Sequence, residues 1–142
     1  MYTQFFQAIQ DIDYIVQRNW DNLPKSCEVD EHKDIDLFVN ENERAILEDI
    51  IAAFYLKNTI IDVRSQRDLY YPEEIGYDLL KFPRIFNGFI KIPNKQSHFI
   101  SLYYHNVVHK KDNPYDEKLK EIFLSAYSPI RCIDKGVGYY IT

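Results

Sequence analysis

Lys33-Asp34-Ile35-Asp36-Leu37-Phe38-Val39 is the stretch on which the fold turns. From Ile35 to Val39 the run is almost wholly apolar, which predicts a strand in a sheet covered on both faces. Asp34 and Asp36 stand at i and i+2, so on a strand both carboxylates point to the same side of the sheet. Two carboxylates so placed can share one divalent cation, and Mg²⁺ prefers such oxygens together with substrate phosphates. Downstream, Asn40 or Asn42 can cap a helix whose apolar residues Ile46, Leu47, Ile50, Ile51 and Phe54 recur at helical spacing. Thr59 to Val63 then reads as a second apolar strand, with Asp62 in its middle. An acid buried within such a run is costly unless paired or metal-bound. If the two strands are neighbours, Asp34, Asp36 and Asp62 converge, and three carboxylates around two metal ions can activate a hydroxyl and steady a leaving pyrophosphate. The strand–helix–strand order predicts a βαβ-like unit and an α/β or α+β core.

Outward from this unit, residues 3–11 predict a short helix and Asp13–Arg18 another strand, rich in aromatic and β-branched residues. Trp20–Glu31 is turn-rich and acidic, hence a loop. Pro72–Phe82 predicts a helix opened by proline in its first turn. Asn87-Gly88 is a turn signal between short β-like runs at Arg84–Phe86 and Phe89–Ile92. Ser97–Lys110 predicts a strong helix, stopped by Asn113-Pro114, and Asp116–Ala126 a further one. The tail GVGYYIT reads as a last short strand or as surface packing. We read residues 1–142 as one domain, with a core at about 13–110 and a helical C-terminal part at about 97–142, because roughly 100–200 residues make one domain.

Composition narrows the function. Hydrophobic residues make up 46% of the 142 and charged residues 27%, a globular balance that excludes disorder along most of the chain. With 12 Tyr, 9 Phe and one Trp there are rings enough for a sizeable core. The 22 acidic residues outnumber the 17 basic ones, for a net charge of −5. The acidic charge argues against a long nucleic-acid partner, since gripping a phosphate backbone needs excess Lys and Arg. No run approaches the ~18 apolar residues of a membrane-spanning helix, and the N-terminus lacks the basic-then-apolar pattern of a signal peptide. Cys27 and Cys132 stand far apart, which suits a reducing compartment better than a disulfide scaffold. The expectation is a cytoplasmic protein without membrane contact.

Four stretches carry a family resemblance: Tyr14–Pro24 (YIVQRNWDNLP), Asp34–Val39 (DIDLFV), Ile61–Arg64 (IDVR) and Phe99–Lys110 (FISLYYHNVVHK). Their order resembles the nucleotidyltransferase superfamily of DNA polymerase β-like palm fold, and more closely the small nucleotidyltransferase-like proteins encoded beside polysaccharide-biosynthesis genes. The resemblance implies a nucleotidyltransferase-like fold, a small mixed β-sheet with helices packed against it, and Mg²⁺-dependent (or Mn²⁺-dependent) transfer of a nucleoside monophosphate from an NTP. The acceptor is unidentified: a small molecule, a sugar phosphate or a protein. It implies that Asp34 and Asp36 ligate the metals and that Asp62 is the ligand near the attacking hydroxyl. It places Arg18, Ser26, Lys33 and Arg64 with the nucleotide, and His105, His109 and Lys110 as substrate contacts. The chain departs from the family where a Gly-Ser pair normally holds the triphosphate. The corresponding stretch, NWDNLPKSCEVDEHK, has no glycine, and Ser26 is its only hydroxyl. Arg18, Lys25 or Lys33 can compensate with charge. The alternative is a non-catalytic nucleotide-binding or protein-interaction module that keeps the fold without that loop. A partner protein or a homo-oligomer supplying missing residues is a third.

Each group also has a bland reading. Asp34 and Asp36 can be strand-end or capping acids, with Asp62 paired to Arg64 or Arg18. Arg18 is either bidentate to phosphate or ion-paired with one of the three acids. His105 and His109 share a helix face at i, i+4. They lack the Glu of a zinc-protease HExxH and any nearby Cys, so ring packing is the simpler expectation. Tyr70-Tyr71, Tyr103-Tyr104 and Tyr139-Tyr140 read as core and rim packing. Cys27 lies in a polar loop, where exposure is expected, but no nucleophile-activating partner is evident.

Overall fold

The computed structural model describes residues 2–56 and 59–126. The chain divides into two compact units, the first ending at Asn94 and the second starting at Lys95. Together they form a mixed set of helices and small sheets compatible with the α+β class.

In the first unit, helix α1 (Thr3–Ala8) precedes strands β1 (Tyr14–Val16), β2 (Asp34–Val39) and β3 (Ile60–Arg64), with helix α2 (Arg44–Phe54) between β2 and β3. The sheet order is β1-β2-β3. β1 runs antiparallel to β2, with Val16 opposite Leu37, and β3 runs parallel to β2, with Asp36 opposite Asp62. The parallel step is made through α2, as a strand–helix–strand crossover requires. Asn40 sets the start of the crossover. Its side chain accepts the Asn42 N–H at 3.1 Å and caps a single 3₁₀ turn, Glu41–Glu43, that leads into α2. At the far end of β3, Ser65 and Asp68 form a reciprocal capping box, and Arg44 of α2 reaches across to Ser65, Asp68 and the Val63 carbonyl. Ser65 also donates to Glu41. This network ties the start of α2 to the end of β3.

Alternation along the strands separates two faces. Ile35, Leu37 and Val39 of β2 join Tyr14 and Val16 of β1 in the main core, with Phe5, Phe6, Ile9 and Leu47 from the helices. Ile61 and Val63 pack against it from β3. Phe5 meets Phe54 edge-on at 5.8 Å, locking α1 to α2. Ile50, Ile51 and Phe54 lie against this core as the helical spacing predicts, whereas Ile46 is exposed.

The opposite face carries Asp34, Asp36 and Phe38 of β2 with Ile60, Asp62 and Arg64 of β3. Only its Phe38 end is covered. Tyr71 meets that ring at 5.9 Å, and Gly76 of helix α3 (Glu73–Leu79) comes so close that a Cβ there would stand 3.3 Å from Phe38 Cζ. Ile60, Asp62 and Arg64 are exposed. The expectation of a sheet covered on both faces is thus corrected: helices pack on one face, where Ile61 and Val63 stay half-buried, and cover the other only at one end.

Strands β4 (Arg84–Phe86) and β5 (Ile90–Ile92) form a separate antiparallel hairpin. Asn87 and Gly88 turn it at φ 49° and 85°, the positive pair that a tight hairpin turn demands. α3 is shorter than the predicted Pro72–Phe82, because Pro72 is its N-cap and Phe82 adopts positive φ.

In the second unit, helix α4 (Lys95–Tyr104) continues into a π-helical turn, His105–His109, and helix α5 (Asp116–Ala126) follows. Leu102, Tyr115 and Leu119 form its small core with Phe99 and Ile122. Asn106 accepts the Tyr115 N–H and donates to Asp116, fixing the start of α5. No helix among the described residues is long and apolar enough to cross a membrane. The predicted tail strand, Cys132 and Tyr139-Tyr140 lie outside the described residues.

Leu47 is the one α2 residue wholly buried under the sheet. Leu47→Ala is expected to cost about 2–5 kcal/mol in urea unfolding. Ile46→Ala, one position away and exposed, is expected to change stability by less than about 0.5 kcal/mol.

Candidate functional site

Parallel pairing of β2 with β3 assembles the site. Asp34 and Asp36 protrude from one strand, and Asp62 protrudes from the next in direct register with Asp36. Each residue offers a carboxylate oxygen, and the three lie within 4.8 Å of one another. Among the described residues this is the one group of three or more Asp, Glu, His or Cys side chains that converges so closely. Asp34 and Asp36 are half-buried and Asp62 is exposed. The expectation that an apolar strand buries Asp62 is therefore corrected. The pattern Ile60-Ile61-Asp62-Val63 hides a two-residue alternation in which only Ile61 and Val63 face the core.

Crowding of like charges marks the site. Burial pushes the Asp36 carboxyl up to about 6; Arg18 pulls it down and Asp34 and Asp62 push it further up. Asp62 is also raised, by partial burial and by a hydrogen bond and repulsion from Asp34, with Arg64 acting the other way. Three carboxylates crowded in this way form a donor set that a hard divalent cation fits, since the ion offsets their repulsion.

Arg18 lies under the site. Only 7% exposed, its guanidinium sits 3.5 Å from Asp36 Oδ2. It donates to Tyr71 Oη at 3.0 Å, to Gln17 Oε1 at 3.3 Å and to Tyr70 Oη at 3.4 Å. Tyr71 in turn donates to Gln17 Oε1 at 2.6 Å, and Gln17 Nε2 to the Leu37 carbonyl. The ion pair expected for Arg18 is present, with Asp36 as its partner. Burial works against the guanidinium's charge, but Tyr71, Asp36 and Tyr70 outweigh it and raise its pKa. Tyr70 is more than rim packing: besides taking a hydrogen bond from Arg18, it carries the Arg64 guanidinium over its ring at 4.6 Å. Gln17, Tyr70 and Tyr71 are thus site residues that sequence reasoning missed. The pair preceding Pro72 gave no signal beyond its aromaticity.

The remaining predicted residues lie outside the converging triad. Ser26 Oγ accepts the Glu28 N–H at 3.0 Å, a local turn bond. Lys33 is exposed and adjoins Asp34 in the chain, and its carbonyl accepts from Cys27. Cys27 is buried, not exposed as expected, beside the Tyr2 hydroxyl. In the second unit, His105 and His109 face each other with Nδ1 atoms 3.0 Å apart, and His105 also stacks near Tyr115. That is the ring-packing reading, with one Nδ1–H donating to a bare Nδ1. Lys110 follows the π turn as an exposed residue whose N–H reaches the His105 carbonyl.

No protein-family model matches the chain, and no curated protein or solved structure matches it either.

Because the folded value of Asp36 lies above the ordinary 3.8, a proton on this group favours the fold. That contribution is complete below about pH 4 and is lost as pH rises through 6. In EDTA, Asp36→Asn should therefore gain on the wild type between pH 4 and pH 7, by roughly 2–3 kcal/mol at about 1.4 kcal/mol per unit. Urea unfolding across that range checks this, and a pH-independent offset between the two proteins would contradict it.

Proposed function

We propose that the chain is a nucleotidyltransferase-like protein that binds a divalent cation through Asp34, Asp36 and Asp62 and moves a nucleoside monophosphate from an NTP to a hydroxyl acceptor. The observation that carries this reading is the register of β2 on β3, which gathers three carboxylates on the face that helices leave open. The sequence resemblance places its metal ligands on these same three residues. Mg²⁺ or Mn²⁺ held there supplies positive charge for triphosphate oxygens and for the departing pyrophosphate. Asp34 and Asp36 are the half-buried anchors, and Arg18 fixes the second of them from below. Asp62, exposed on the outer strand with a raised pKa, is suited to accept the proton of an attacking hydroxyl. Arg64 projects from the same face two residues on and, with exposed Lys33, is the cation suited to phosphate. Arg18, sealed among Asp36, Gln17 and two tyrosines, is not.

One observation favours a second reading, a module that binds a nucleotide without transferring it. Ser26, the only hydroxyl in the stretch where the resemblance expects a triphosphate loop, is engaged in a turn with Glu28.

Titration calorimetry with Mg²⁺ or Mn²⁺ and each NTP tests both readings. Metal-dependent nucleotide binding should weaken at least tenfold in Asp34→Asn/Asp36→Asn. Pyrophosphate release on adding candidate acceptors then separates the transferase from the module. Nucleotide binding that ignores the metal would contradict the transferase, and no nucleotide binding under any condition would contradict both.

A further inference from the structure

The three carboxylates have two sources of positive charge within reach, and one of them is already in place. Arg18 is buried to 7% exposure, 3.5 Å from Asp36, and hydrogen-bonded to Gln17, Tyr70 and Tyr71. A guanidinium held by that many partners cannot swing aside for an incoming ion, and burying it costs too much for it to lose Asp36. It engages one of the two oxygens of Asp36, the residue at the centre of the triad by register. A two-ion site needs its ions only about 3.5–4 Å apart and bridged by shared carboxylates. The charges balance without a second ion. Fully ionised, the triad carries three negative charges; the guanidinium neutralises one and a single divalent cation the other two. A second dication would meet Arg18 at close range in a half-buried setting, where like charges repel by several kcal/mol. Arg64, the other arginine on this face, is exposed and stacked on Tyr70, so water screens it.

We propose that Arg18 is a positioning residue that stands in for a second cation, so that the triad of the free protein takes one divalent ion and not two. This inference rests on the metal-binding reading of the triad. The experiment counts Mn²⁺ ions bound by the free protein, from the electron paramagnetic resonance of unbound Mn²⁺. Site ions are those lost in Asp34→Asn. One site ion per chain is expected for the wild type and for Arg18→Lys, which keeps the charge. Arg18→Met, which removes it, is expected to bind two. A merely structural role for Arg18 would lower the affinity of Arg18→Met without raising the count. Two site ions in the wild type, or a count of one in a folded Arg18→Met, would overturn the role of Arg18 and leave the metal reading standing. If Arg18→Met does not fold, the counts for the wild type and for Arg18→Lys decide, and two ions in either overturns the proposal. No site ion in the wild type would overturn the metal reading and this inference together.

Discussion

Asp36 and Asp62 face each other across adjacent parallel strands, and the fold must tolerate that arrangement. Like charges side by side on a sheet destabilise it. Here the repulsion is compounded by Asp34 and by the half-buried setting of Asp36. The surroundings offset it in two ways. A buried arginine sits beneath Asp36, and a raised pKa at Asp62, which hydrogen-bonds Asp34, eases the repulsion there. Neither would be needed in a sheet selected only for stability, where an apolar residue at Asp36 would pack against Phe38 and Tyr71 at no electrostatic cost.

The elements around the site look arranged to keep that register. Arg44 and Glu41 at the start of α2 are knotted to Ser65, Arg67 and Asp68 just after β3. A slip of β3 by one residue would break these contacts and turn Asp62 into the core. Tyr71 and Tyr70 follow directly in the chain, and they deliver the hydroxyls that hold Arg18. The segment that locks the register thus also supplies the support for the second carboxylate. In the second unit the histidines are engaged among themselves and with tyrosines, and Asn106 fixes the start of α5.

Much of this was legible in the residues. The acid pair on β2, the amphipathic α2, the returning β3 and the Asn87-Gly88 hairpin all follow from local periodicity and turn chemistry, which depend on near neighbours. The triad followed too, once two strands were assumed adjacent. Three features were not legible, each for a physical reason. Burial of Asp62 was misjudged because a strand with one open face can place isoleucine outward, as Ile60 is, so an apolar run no longer implies enclosure. Arg18, Tyr70 and Tyr71 meet across some fifty residues of chain, and no spacing rule reports such a contact. The π turn at His105–His109 breaks helical periodicity without glycine or proline to announce it.

The proposed site would hold a divalent cation on the open face of the sheet, between residues of β2 and β3. Paramagnetic broadening of backbone amide resonances by substoichiometric Mn²⁺ reads this position directly. With the ion there, loss of signal is centred on residues 34–36 and 60–64, while the amides of α1, on the other face of the sheet, are broadened less. Broadening centred on the histidines, or spread evenly over the acidic surface, would contradict it.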